Sequence, residues 1–200
     1  MILVGVIQLI YEIFGLPRSG KTTTLAAIAQ HALNHKRFLD FGQYDRVFTS
    51  FYCQGCYKLD VYDLAKYDYS NSLVLIDEIS LYFDNRDFKN FGSDFLYFFK
   101  LHGHYNIDLV WCSQSYSDAD KKIRDITDTV YLLEKSRLPN YSILKKIYHN
   151  YSFKGRQISD VYDIASRLEW KYINRKKYYK YFDSYERKQL PKHDNLEVWQ

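Results

Sequence analysis

Gly15-Leu16-Pro17-Arg18-Ser19-Gly20-Lys21-Thr22 reads G-x-x-x-x-G-K-T, and its flanks decide what the motif means. Before it runs an apolar, β-prone stretch, Val6 to Phe14. After it, Thr23-Thr24-Leu25-Ala26-Ala27-Ile28-Ala29 opens a helix expected over about Thr22 to Asn34. Strand, glycine-bearing loop and helix in that order are the setting in which this motif wraps a phosphate. The competing reading is a glycine turn before an ordinary helix. All three fixed positions and both flanks weigh against it. The nucleotide-binding residues expected from the stretch are Gly15, Leu16, Pro17, Arg18, Ser19, Gly20, Lys21, Thr22 and Thr23. Backbone N–H groups and the helix N-terminus would surround the β-phosphate, with Lys21 reaching the β and γ oxygens. The Thr22 hydroxyl would hold Mg²⁺. The ligand expected is ATP with Mg²⁺.

A second motif lies about 55 residues downstream of the first. Ser72-Leu73-Val74-Leu75-Ile76-Asp77-Glu78 is an apolar run ending in two carboxylates. That pattern describes a buried parallel strand with acids at its C-terminal tip, where open α/β sheets bind ligands. It reads as a Walker B element: Asp77 in the Mg²⁺ shell, Glu78 polarising the attacking water. Ile107 to Ser115 is a third such strand, and Gln114 at its end is the candidate γ-phosphate sensor. Asp45 to Phe51 reads as a short strand, Asp60 to Ala65 as a turn or small helix, and Asp94 to Lys100 as a helix. Asp128 to Glu134 is expected to close the sheet. Strands separated by helical crossovers predict an α/β fold, a mostly parallel central sheet flanked by helices.

Length and composition fit this reading. The chain has 200 residues, 46% of them hydrophobic, enough for a sizeable core, and it carries 21 Tyr and 13 Phe. The net charge of +4 conceals an asymmetry. Residues 135–200 carry 15 Lys and Arg against 7 Asp and Glu, whereas the preceding part is net acidic. A basic final third suits nucleic acid or an anionic membrane surface, against the plainer reading of a solvated basic face. Two units are expected: an ATPase core over residues 1–140, and a basic extension over 141–200 packed on it. A β-hairpin is expected around Tyr178 to Phe182. Three cysteines without a secretory signal pattern argue for a reducing cytosol. Cys53-Gln54-Gly55-Cys56 has C-x-x-C spacing, but no second pair completes a zinc site. Met1 to Ile10 is too short to span a bilayer, so no transmembrane segment is expected.

The chain resembles the zonular occludens toxin-like (Zot-like) ATPases. Lys100-Leu101-His102-Gly103-His104-Tyr105-Asn106-Ile107-Asp108 running on to Gln114 is similar to that family's basic run followed by D-x₅-Q. Ile123-Arg124-Asp125-Ile126 looks like its I-R block, and Tyr181-Phe182-Asp183-Ser184-Tyr185 like its closing Y-F-D-S-Y. The resemblance implies a RecA-like P-loop NTPase of the FtsK–HerA group that powers filamentous-phage assembly and extrusion. It implies a homo-oligomeric ring in which a neighbouring subunit donates an arginine finger: Arg124 here, with Arg86 as rival. A surface ion pair with Asp120 or Asp128 is the plainer reading of Arg124.

No membrane anchor is evident in the sequence. The resemblance then implies either a membrane-anchored partner protein, with this chain in the host cytoplasm or at the inner face of the membrane, or a motor acting on phage DNA. A genome-packaging ATPase is accordingly the second reading, with phage DNA rather than coat or assembly proteins as partner. The interleaved Lys and Tyr of the last third would track phosphates and stack on bases. A small-molecule P-loop kinase ranks below both, because no arginine-rich lid is evident.

Overall fold

The computed structural model describes residues 9–36, 38–39, 44–83, 93–118, 121–154 and 157–183. The expectations for Met1 to Gln8 and for Arg86 lie outside them. Among the described residues nine strands form one sheet: β1 (Ile10–Phe14), β2 (Arg46–Thr49), β3 (Tyr57–Lys58), β4 (Ser72–Ile76), β5 (Ile107–Ser113), β6 (Thr129–Lys135), β7 (Tyr141–Lys154), β8 (Gln157–Ile164) and β9 (Lys171–Asn174). Their order is β3-β2-β4-β5-β1-β6-β7-β8, with β9 also pairing β7. From β3 to β6 every pairing is parallel. The helices are α1 (Lys21–Leu33), α2 (Ser93–Leu101) and the short α3 (Lys121–Arg124).

The fold is therefore α/β with a mostly parallel central sheet, as the strand and helix signals require. One boundary differs. β6 does not close the sheet: the chain turns back at Leu138-Pro139-Asn140, and β7 pairs antiparallel with β6 from Val130↔Ile147 to Lys135↔Ser142. Asn140 takes a left-handed φ of 64°, and Ser136 N–H bonds the Tyr141 carbonyl across the turn. Such a turn joins neighbouring antiparallel strands without any helical crossover.

Side-chain alternation along the central strands builds a core on each face. Leu73, Leu75, Val110 and Cys112 point to the α1 side, whereas Val74, Ile76, Leu109 and Trp111 point to the side of Phe98 and Phe99 from α2. Trp111 is fully buried. The aromatic residues of α2 pack as core: Phe95 and Phe99 each meet Phe83 edge-on. Phe88 and Phe91 lie outside the described residues.

α1 is buried almost all round, and its composition allows this. Thr23, Thr24, Leu25, Ala26, Ala27, Ile28 and Ala29 are all covered. A helix apolar on every side must have structure on every side. Its outer flank is covered by a strap that follows β9. The strap consists of two 3₁₀ turns, Arg175–Lys177 and Tyr179–Tyr181, rather than the hairpin expected there. Tyr178 enters the α1 core, with its hydroxyl 3.1 Å from His31 Nε2. At the far end Gln54 N–H donates to the Tyr181 carbonyl at 2.7 Å, and Phe182 bridges to Cys53.

Beside this core, β1 carries a fully buried carboxyl. Glu12 accepts from Ser113 Oγ at 3.3 Å, and among the described residues its Oε2 has no hydrogen-bond partner. Burial pushes its pKa from 4.5 to about 9, against the pull of Ser113 and Arg124. The unfolded carboxyl ionises near 4.5 and the folded one near 9, so folding takes up a proton in between and stability falls as pH rises across that window. Glu12→Gln keeps the acceptor oxygen and has no such proton. Its melting temperature relative to the wild type should therefore rise by several degrees between pH 5 and pH 8. Thermal melts at the two values check this; an unchanged difference would contradict it.

Candidate nucleotide-binding site

The loop between β1 and α1 is shaped by two close approaches. A Cβ at Gly15 would lie 2.3 Å from the Leu133 carbonyl oxygen, because the loop leaves β1 pressed against β6. Gly20 is the N-cap of α1, at φ 101° and ψ 30°, a left-handed conformation that favours glycine. A Cβ there would lie 2.8 Å from both Ser142 Oγ and Arg175 Cδ. No side chain caps the helix at this end. The first amide groups of a helix have no partner within it, so those of α1 remain available to an anion.

Three side chains at the start of α1 are pinned in place. Lys21 is buried and its Nζ donates to the Gly15 carbonyl at 2.9 Å, folding the cation into the loop. Thr22 Oγ1 donates to Asp77 Oδ2 at 2.7 Å, joining the two motifs read from the sequence. Thr24 Oγ1 donates back to the Gly20 carbonyl at 2.9 Å.

Asp77 stands just beyond β4, and its N–H donates to Ser50 Oγ at 2.9 Å. Burial pushes its carboxyl above the usual range, and the Thr22 hydrogen bond pulls it part of the way back. A hydroxyl and a carboxylate facing each other at a half-buried spot make an all-oxygen donor set that suits a hard divalent cation such as Mg²⁺. These residues fit a metal–nucleotide ligand. Glu78 takes a left-handed φ of 52°, unusual for a residue with a Cβ, and accepts from Ser80 Oγ at 3.1 Å. Backbone strain of this kind gathers at functional sites.

Pro17, Arg18, Gly20, Lys21, Thr22 and Thr23 line one open cleft of about 960 Å³. Asp77, Glu78 and the exposed Gln114 close its far side. Ser19 is buried behind the loop. Arg124 does not line this cleft. Its guanidinium lies 5.2 Å from the Tyr116 ring centre, rather than on Asp128, whose carboxylate accepts from Ile10 N–H.

The reading of the sequence missed the groups from the last third of the chain. Ser142, at the start of β7, is buried and donates to the Ser19 carbonyl at 2.5 Å, bracing the loop from the β7 side. Arg175, Tyr179, Phe182 and Asp183 of the strap form a wall of the cleft. The Y-F-D-S-Y block had drawn attention to the strap, but nothing in its spacing says that it crosses α1. Several of the basic residues are engaged within the fold. Lys145 pairs with Glu134 and lies 4.3 Å from the Trp170 ring centre, Lys171 donates to the Phe38 carbonyl, and Lys180 lies over Tyr181.

With this geometry in view, comparison with known proteins is informative. The model of the zonular occludens toxin (Zot) family matches residues 55–189, most of the chain. The chain belongs to the Zot family. The crystal structure of the N-terminal domain of zonular occludens toxin from Neisseria meningitidis has the same fold. It has 16% sequence identity and a TM-score of 0.58, and the alignment covers 88% of this chain and all of that domain. More distant similarity extends to B204, the DNA-packaging ATPase of Sulfolobus turreted icosahedral virus, at 14% identity and a TM-score of 0.46, covering 76% of this chain and 96% of B204. The B204 of Sulfolobus turreted icosahedral virus 2, in complex with ATP-gammaS, is similar at 10% identity and a TM-score of 0.47, covering 79% and 98%. No curated protein sequence matches the chain. Among the described residues no helix is long and apolar enough to cross a membrane.

The glycine geometry has a direct consequence. Gly20→Ala places a side chain in a left-handed backbone and against two neighbours, so it should cost about 1–2 kcal/mol for the backbone alone. The melting temperature should fall by several degrees. Gly103→Ala is the control: its Cβ meets nothing within 4 Å, and its melt should be unchanged. Equal melts for the two variants would contradict the loop geometry.

Proposed function

We propose that this Zot-family chain hydrolyses ATP and that hydrolysis drives phage virion assembly and extrusion. The observation that carries the catalytic half is the 2.7 Å hydrogen bond from Thr22 to Asp77. It brings a phosphate-loop hydroxyl and a strand-end carboxylate to one point, as a metal–triphosphate site requires. In this reading the α1 amides and Lys21 seat the phosphates, and Thr22 with Asp77 would hold Mg²⁺. When bound, the metal adds positive charge where the phosphoryl oxygens become most negative. Glu78 accepts the proton of the attacking water, and Gln114 orients that water from the end of β5.

The chain works as a homo-oligomeric ring at the cytoplasmic face of the host membrane, with coat or assembly proteins and a membrane-anchored partner. Arg124 of the adjacent protomer supplies the arginine. Membership of the Zot family supports the cargo. The basic final third is the observation that favours the second reading, a motor on phage DNA. The cation–aromatic contacts within that third weigh against it.

Lys21→Ala should abolish nucleotide binding. Glu78→Gln should retain MgATP binding while turnover falls by about 100-fold or more. Calorimetry and phosphate release check the pair, and wild-type turnover in Glu78→Gln would remove Glu78 from the mechanism. Mixing inactive Glu78→Gln with inactive Arg124→Ala should recover part of the activity, because some interfaces then hold both intact residues. Failure to recover any would contradict the arginine in trans. Turnover stimulated by DNA and suppressed by salt would favour the packaging motor.

A further inference from the structure

The strap adds a wall to a loop-and-sheet site, and its chemistry is specific. β1 stands at the centre of the sheet. On one side of it β5 and β4 carry Gln114, Asp77 and Glu78; on the other stand β6, β7 and β9. A phosphate chain seated on the loop thus has its reacting end toward β4, where Thr22 meets Asp77. Its nucleoside end faces β7 and β9.

Arg175 follows β9 directly and is fixed on that second side. Its N–H donates to the Asn140 carbonyl at 2.8 Å, and its stem runs against Gly20. Arg175 Nε is out of solvent and has no hydrogen-bond partner among the described residues. An arginine offers five donors in a planar fork and cannot shed its charge, so it calls for an anionic acceptor. Its stem lies beside the N-terminal end of α1, where the open amides would seat an anion. Four residues on, Tyr179 presents a half-exposed ring to the same cleft, backed edge-on by Phe182 with ring centres 6.4 Å apart.

We propose that the strap forms the nucleoside end of the nucleotide site, within the same subunit: Arg175 pairs with the phosphate next to the ribose, and the Tyr179 ring takes the face of the base. The inference rests on the phosphate-seat reading given above and assigns that site's other half. The ligand class is a nucleoside 5′-di- or triphosphate. Residues that the charge pattern associates with nucleic acid thereby act on the nucleotide.

The test is calorimetric titration of the full chain with MgATP, MgADP and magnesium pyrophosphate. The variants are Arg175→Met, which keeps the unbranched stem against Gly20, and Tyr179→Ala. Both should weaken MgATP and MgADP by the same factor, about tenfold, and leave pyrophosphate binding unchanged. A loss confined to MgATP would put Arg175 on the γ-phosphate and overturn the proposal. A loss that extends to pyrophosphate would make the strap a mere prop for the loop, and unchanged affinities would remove it from the site; both overturn the proposal. Lys21→Ala separates this from the underlying reading. If Lys21→Ala binds pyrophosphate like the wild type, the phosphate seat itself is wrong, whatever the strap variants do.

Discussion

The site depends on one reversal of backbone direction at Gly20. A left-handed residue there lets the chain leave the loop and enter α1 with no capping side-chain hydrogen bond at the helix end. Four consequences meet at that point. The α1 amides stay open, Lys21 folds inward to the Gly15 carbonyl, Thr22 reaches Asp77, and Ser142 and Arg175 fill the space a Cβ would take. Any other residue at position 20 sets backbone strain against two packed neighbours. The loop is therefore held from both sides, by Asp77 beyond β4 and by Ser142 on β7.

Cover on two sides explains why α1 carries no Asp, Glu, Lys or Arg after Lys21. A helix packed on a sheet on one side only would carry a charged outer face. Here the Ala-rich run lies between the sheet and the strap, and small side chains let both come close. The strap is tied at three places: Arg175 N–H to Asn140, Tyr178 to His31, and Tyr181 to Gln54. The loop and α1 are thus joined through the strap to the turn that carries Cys53.

Much of this was legible in the sequence, and the limits have physical causes. The octapeptide, the strand-end carboxylates and Gln114 were readable because parallel strands buried on both faces are continuous apolar runs that stop at polar tips. Helix α1 and the placing of Asp94 to Lys100 on a helix followed from the same contrast. The segment after Pro139 was harder. β7 mixes polar and apolar residues and carries three Lys and three Tyr, so its sequence reads as a basic surface. The pairing of β7 with β6 is settled by a tight turn at Leu138-Pro139-Asn140, a local signal with no charge or chemistry attached. Arg175 and Ser142 were missed for a related reason: each reaches the loop through strand order, across more than a hundred residues of chain. Arg124 was singled out by resemblance, and its setting over Tyr116 belongs to contacts that spacing does not encode.

The most direct test of the account is a crystal structure of the chain with Mg²⁺ and a non-hydrolysable ATP analogue. The account predicts the triphosphate on the loop from Gly15 to Thr22, the Lys21 ammonium moved off the Gly15 carbonyl onto phosphate oxygens, and the metal between Thr22 and Asp77. A nucleotide bound elsewhere, or one bound while Lys21 keeps its bond to Gly15, would contradict it.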